Sequence, residues 1–85
     1  MVYGDAMSNF DHYAAAQELI SRLESEGHAA DAAKLRAAME DGSTGTEIFM
    51  ALRFHLAEIV RRTPLKGETQ TKASRLLGEL NDALG

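Results

Sequence analysis

The stretch from Gly42 to Pro64 constrains the fold most, because it marks both ends of one long helix. Thr44 and Glu47 form a Thr-x-x-Glu capping box, in which each side chain satisfies a backbone amide at the start of a helix. Pro64 disfavours helical geometry in the residue before it. This punctuation predicts a helix over residues 45–62, and we expect Gly42 to end the preceding helix in the left-handed conformation.

The apolar residues of this predicted helix cover more than one face. The larger set forms a continuous stripe of Ile48, Phe49, Leu52, Leu56, Ile59 and Val60. A second patch, formed by Met50, Phe54 and Ala57, lies roughly a fifth to a quarter of a turn or more away on a helical projection. A surface helix needs one apolar stripe. The second patch therefore indicates either a central helix with both patches in the core or a helix that contacts a partner.

Three further helices are indicated by the same periodicity, at about residues 8–26, 29–41 and 69–83. We expect Ser8 to cap the first by binding the amide of Asp11, Gly27 to end it, and Thr69 to cap the last. The expected inward positions are Phe10, Tyr13, Ala16, Ile20, Leu23, Ala32, Leu35, Ala38, Met39, Ala73, Leu76, Leu77, Leu80 and Leu84. Because no stretch alternates β-branched and polar residues as a strand does, the sequence predicts an all-α fold, a compact bundle of four short helices.

A chain of 85 residues is enough for one domain and too short for two. We expect residues 8–85 to form a single helical domain and residues 1–7 to be a flexible N-terminal extension. A domain this small buries only roughly 60% of its unfolded surface, so a second copy that covers part of it would add stability. The chain has no cysteine, which excludes disulfides, thiolate metal ligands and thiol nucleophiles.

Neither the apolar runs nor the first residues indicate export or a membrane. No apolar run approaches the roughly 18 residues that a membrane span requires. The first residues lack the basic and apolar regions of a signal peptide. We therefore expect a cytoplasmic protein with no membrane partner.

The charges are distributed unevenly along the chain. The net charge is −4, which is the wrong sign for binding nucleic acid over the whole surface. Most acids precede residue 48, whereas the bases between residues 61 and 75 are Arg61, Arg62, Lys66, Lys72 and Arg75. One hypothesis is that this basic segment contacts nucleic acid, although it contains no aromatic side chain for base stacking. Another is that the acidic half of one copy faces the basic segment of a second copy.

Few residues suggest chemistry. Backbone amides of the 42–45 loop stand where a helix N-terminus can hold an anion, but the loop lacks a P-loop lysine and Glu47 adds a negative charge there. His55 and Glu58 share a helix face and are too few for a metal site without further ligands. The serines show no Gly-x-Ser-x-Gly elbow. We predict no catalytic residue, no metal site, no cofactor and no small-molecule substrate, so an enzyme is not expected.

The loop and the start of the long helix carry one resemblance. The run Gly-Ser-Thr-Gly-Thr-Glu-Ile at residues 42–48, followed by Met-x-Leu-Arg at residues 50–53, resembles a segment of small bacterial all-helical proteins to which no activity is assigned. The resemblance covers about a seventh of the chain. It implies a bacterial origin and a role for the loop and Arg53 beyond packing, and it lends no catalytic residue.

The sequence favours a non-catalytic protein-protein interaction module that self-associates as a homodimer through the long helix. The predicted interaction surface consists of Met50, Arg53, Phe54, Ala57, Arg61 and Arg62, because exposed aromatic, Met and Arg side chains are typical of protein interfaces. Two alternatives stay open. One is a small nucleic-acid-binding regulatory protein that uses residues 61–75, and the other is a toxin-neutralising, immunity-type protein.

Overall fold

The computed structural model describes residues 10–85. Its helices are α1 (His12–Ser25), α2 (Ala29–Asp41), α3 (Gly45–Arg62) and α4 (Gly67–Leu84). The described residues contain no strand, and the predicted all-α bundle of four helices is confirmed. The predicted extension at residues 1–7 and the predicted cap Ser8 lie outside the described part of the chain.

Each helix packs against its neighbours in the sequence, and α4 returns to pack against α1. Contacts between helix ends show that the neighbours are antiparallel. The hydroxyl of Thr63, just after α3, donates to Asp31 near the start of α2 at 2.7 Å. The hydroxyl of Thr69, near the start of α4, donates to Glu26 just after α1 at 2.5 Å. The bundle is therefore a square of alternating helices, and each helix occupies one corner.

The core lies between the four helices and is built from leucine, isoleucine and alanine. Its buried members are Ala16, Leu19, Ile20, Leu23, Ala32, Leu35, Ala38, Leu52, Leu56, Ile59, Ala73, Leu76 and Leu80. Leu19 was not among the residues expected to face inward. Tyr13 was expected inward but is 40% exposed. It lies in the first turn of α1, and the ring of Phe49 of α3, with its centroid 5.7 Å away, covers only part of it.

The helix starts differ from the sequence prediction in two places. α1 begins at His12, after Asp11, whose backbone is extended and whose carboxylate accepts a hydrogen bond from the amide of Ala14 at 3.0 Å. Asp11 is therefore the cap of the described helix. α4 begins at Gly67, so that Thr69 lies inside the first turn and is buried. Thr69 binds the Glu26 carboxylate and does not cap α4.

The two glycine turns that end α1 and α2 work in different ways. Gly27 has a left-handed φ of 87°, and the amide of His28 donates to the Leu23 carbonyl at 2.7 Å, which is a Schellman ending of α1. Gly42 was expected to be left-handed, but its φ is −75°. A Cβ at this position would lie 2.5 Å from Cγ1 of Ile48. The glycine is needed there for a close approach of α3.

Candidate protein-contact surface

Hydrogen bonds to the preceding loop fix the start of α3, and Pro64 fixes its end. The Thr44 hydroxyl accepts a hydrogen bond from the amide of Glu47 at 3.1 Å, as the capping box predicts. The Glu47 carboxylate accepts from the amide of Ser43 at 2.8 Å and not from that of Thr44. One amide of the loop, that of Ser43, and one amide of the first turn of α3, that of Glu47, are therefore satisfied within the chain. Pro64 ends the helix as predicted, because Thr63 is extended and α3 stops at Arg62.

The second apolar patch of α3 faces outward. Met50 is 51% exposed, Phe54 is 64% exposed, and Ala57 is exposed as well. On the opposite side of the helix, Leu52 and Leu56 are fully buried. Since residues of an α-helix advance by about 100° each, the two sets stand back to back. The alternative in which both patches belong to the core is wrong for this fold.

A groove runs along this outward side, between α3 and α4, and is here called the α3/α4 groove. Its volume is about 570 Å³, and its lining residues are Met50, Arg53, Phe54, Ala57, Glu58, Arg61, Leu77 and Asn81. Leu77 was expected inward and is only half-buried, because it completes the α4 wall of this groove. The small side chain of Ala57 leaves the space that the larger side chains surround.

The structure brings most of the predicted interaction surface together and separates one residue from it. Met50, Arg53, Phe54, Ala57 and Arg61 all line the α3/α4 groove. Arg62 instead borders a smaller cleft on the side of α2, with Asp31 and Lys34. Sequence reasoning missed Glu58 as a wall of the groove, together with Leu77 and Asn81 of α4.

The charged residues beside the groove differ in their partners. Glu58 forms ion pairs with Arg61 at 3.3 Å and with Arg62 at 3.5 Å, all on α3. Such exposed pairs along one helix contribute roughly 0.5 kcal/mol or less each. Arg53 makes no ion pair with any residue of the described range. Within that range, the guanidinium of Arg53 is therefore the charge at the groove that lacks an intramolecular carboxylate.

The other side of α4 is closed by ion pairs with α1. Arg22 lies 2.8 Å from Glu68, and Lys72 lies 3.2 Å from Glu18. The hydrogen bond and charge of Lys72 hold the pKa of the Glu18 carboxyl below its ordinary value, and Arg22 contributes in the same direction. The attraction between the acidic early half and the basic late segment thus acts within one chain. It offers less support for pairing between copies than the sequence alone suggests.

The residues predicted for nucleic acid do not form one surface. Arg61 lies in the α3/α4 groove, and Arg62 borders α2. Lys72 and Arg75 lie beside Glu18 of α1 and beside Phe10, which precedes α1. Lys66 lies in the connector before α4. A carboxylate lies within 4 Å of the other four, since Lys72 pairs with Glu18, Arg75 with Glu79, and Arg61 and Arg62 with Glu58.

Two of the three histidines, His12 and His55, pack against aromatic rings. His12 contacts Phe49 with ring centroids 4.6 Å apart and lies 3.4 Å from the carbonyl oxygen of Glu79. His55 packs edge-on against Phe54, with centroids 5.2 Å apart. Among residues 10–85, no three His, Asp or Glu side chains are grouped as metal ligands would be.

None of the described helices is long and apolar enough to cross a membrane. Comparison of the chain with protein-family models, with curated proteins and with solved structures gave no match.

Proposed function

We propose that this domain is a non-catalytic protein-binding module whose contact surface is the α3/α4 groove. The observation that carries the proposal is the exposure of Phe54 and Met50 on a helix whose opposite face already supplies the core. The buried core of the four helices does not include these two side chains. Their apolar surface is removed from water only when another surface covers it.

The composition of the groove supports the same proposal. Aromatic, Met and Arg side chains are enriched at protein interfaces, and a few such residues carry most of the binding energy. Here Phe54 stands beside the empty volume above Ala57, and Leu77 provides an apolar wall. An incoming side chain would be surrounded by apolar atoms, with Arg53 and Glu58 available at the edges.

The alternatives have less support from the arrangement of the residues. A nucleic-acid binder would need the bases of residues 61–75 on one side, but they lie on different sides of the bundle and next to carboxylates. The toxin-neutralising alternative stays a prediction, because no feature of the groove bears on it. A protein partner is common to that alternative and to our proposal.

Site-specific photocrosslinking tests the proposal. A photoreactive phenylalanine derivative replaces Phe54 in one variant and Ala37, an exposed residue of α2, in the control. After irradiation in cells that produce the protein, we expect a discrete adduct with a polypeptide from position 54 and none from position 37. The adduct's partner, once purified, should bind the Phe54→Glu variant at least about tenfold more weakly than the unmodified chain.

Two results would contradict the proposed function. One is the same adducts from positions 54 and 37, which would show contact by chance collision. The other is a partner whose affinity is unchanged by Phe54→Glu, which would place the contact elsewhere. Circular dichroism of both variants serves as the control for folding.

A further inference from the structure

We infer that the α3/α4 groove binds a second copy of this chain, with the two α3 helices parallel around a two-fold axis. The inference rests on the proposed function and names the partner for the same surface. Its support comes from the spacing of the outward residues, the placement of opposite charges on their flanks, and the shape of the groove.

The outward residues of α3 have the spacing of a helix-pairing seam. Met50, Phe54, Ala57 and Arg61 follow one another at intervals of four, three and four residues. This is the alternation of the a and d positions of a heptad, which keeps one stripe facing a neighbouring helix. All four line the groove. In heptad terms, Phe54 and Arg61 take the a positions and Met50 and Ala57 the d positions.

The flanks of this seam carry opposite charges. Arg53 and Glu58 each lie about 70° from the middle of the stripe, on opposite sides, at 100° per residue. Glu58 lies on the side of α2, because it also borders the cleft lined by Asp31 and Lys34. Arg53 lies on the other side, where α4 contributes Leu77 to the groove. Arg53 therefore takes a g position of the heptad, and Glu58 takes an e position.

The flanking charges favour a parallel arrangement, in which Arg61 faces the partner's Arg61 at an a position at some cost in stability. In a parallel two-fold pair, unlike flanks face each other, and a g residue lies next to the e residue five positions further along the other helix. Arg53 would then meet the partner's Glu58, and the same pair would recur across the axis. In an antiparallel pair like flanks face each other, and the g positions of α3 are Thr46, Arg53 and Val60, none of which carries a carboxylate. Only the parallel pair gives the guanidinium a carboxylate.

The shape of the groove agrees with the same arrangement. The Phe54 ring lies on the Glu58 side of the seam, about 30° from its middle, whereas the groove opens on the side of α4. Facing helices in a parallel pair therefore bring the Phe54 ring of one copy over Ala57 and Leu77 of the other. Because α3 occupies a corner of the bundle, α2 and α4 do not block the approach.

Charge variants test the pairing by equilibrium sedimentation of the purified full chain. Arg53→Glu and Glu58→Arg each replace two attractive contacts with two repulsive ones, and we expect each variant alone to dimerise up to roughly tenfold more weakly. An equimolar mixture of the two variants should recover the affinity of the unmodified chain, because the introduced carboxylate of one copy then faces the introduced guanidinium of the other. Arg36→Glu, which makes the same charge change on the α1/α2 side, should dimerise as the unmodified chain does.

A single introduced cysteine tests the direction of the helices. The chain has no cysteine of its own, so Ala57→Cys gives one thiol per copy. Equivalent d positions face each other across the axis of a parallel pair, at a separation that suits a disulfide. We expect mild oxidation to link Ala57→Cys copies efficiently and to leave Ala37→Cys copies, on α2, mostly unlinked.

Each failure has a separate meaning. If the purified chain is monomeric at the highest concentration while position 54 crosslinks to a different protein, the second copy is excluded and the proposed function stands. If the chain dimerises but Arg53→Glu and Glu58→Arg do not weaken the dimer, or Ala57→Cys does not link, the parallel pairing is overturned. If the chain is monomeric and position 54 gives no adduct, both proposals fail.

Discussion

The inner and outer sides of α3 are both apolar, but they have opposite surroundings. Leu52, Leu56 and Ile59 of the inner side are buried by the neighbouring helices. Met50 and Phe54 of the outer side are more than half exposed, and no helix of the described chain covers them. The difference shows that a helix at the corner of a four-helix square needs only one apolar side to complete the core. The second side is free for another role.

The two sides also act on different equilibria. Burial of a leucine side chain stabilises a fold by about 1.5–3 kcal/mol, so the inner side determines whether the domain folds. An exposed side chain contributes little to folding, since it stays in water in both states. Under the proposed function the outer side determines association, and substitutions on α3 should then separate into two classes according to the side they change.

The largest expected effect comes from placing a glutamate on each side in turn. Leu52→Glu buries a carboxylate with no partner, at a cost of several kcal/mol, which is comparable with the whole stability of about 5–15 kcal/mol typical of a domain. We expect it to unfold the chain. Phe54→Glu lies in solvent and should keep the helical circular dichroism while it abolishes partner binding or self-association.

Thermal unfolding and sedimentation of both variants check this pair. If Phe54→Glu unfolds the chain as Leu52→Glu does, the outer side belongs to the core and the comparison fails. If Phe54→Glu instead associates as strongly as the unmodified chain, the inner side still forms the core. The outer side is then not the binding surface.

Truncation to alanine gives a smaller and more quantitative contrast. Leu56→Ala leaves a cavity in a fully buried position and should lower the free energy of unfolding by about 2–5 kcal/mol. Met50→Ala, at a half-exposed position, should change it by about 0.5 kcal/mol or less. Chemical denaturation measures the free energy of unfolding of both variants, with the same dependence on denaturant concentration applied to each. A loss of more than about 2 kcal/mol for Met50→Ala would show that the outer side already packs within the folded chain.

The sequence predicted two apolar patches on α3 but left open whether the second, with Met50 and Phe54, lies in the core or on the surface. A helical period marks each patch equally, and the choice depends on how many neighbours surround the helix. Only the packing of α2 and α4 at one corner of the square resolves it. Leu77 and Asn81 could not be assigned to the groove for the same reason, because their place depends on how α4 is rotated against α3.

The helix starts show a different limit of sequence reasoning. Asp11 and Ser8 are both good capping residues, and the structure uses Asp11. Thr69 also has a capping side chain, yet it is buried and binds Glu26. Local preference can name the candidates for a cap, but tertiary contacts choose among them. Where one local signal had no nearby competitor, at Thr44 and Pro64, the bounds of α3 were predicted correctly.

The cap of α3 gives the smallest expected effect and the sharpest separation of the two equilibria. Thr44→Ala removes the acceptor of the Glu47 amide and should lower the free energy of unfolding by about 1 kcal/mol. Thr44→Ser keeps a hydroxyl acceptor and should restore most of that loss. Neither change touches the lining of the groove, so sedimentation well below the melting temperature should give the same association for both variants as for the unmodified chain. An association weakened by Thr44→Ala as strongly as by Phe54→Glu would mean that the outer side binds only when the first turn of α3 is fixed, and that folding and association are coupled along this helix.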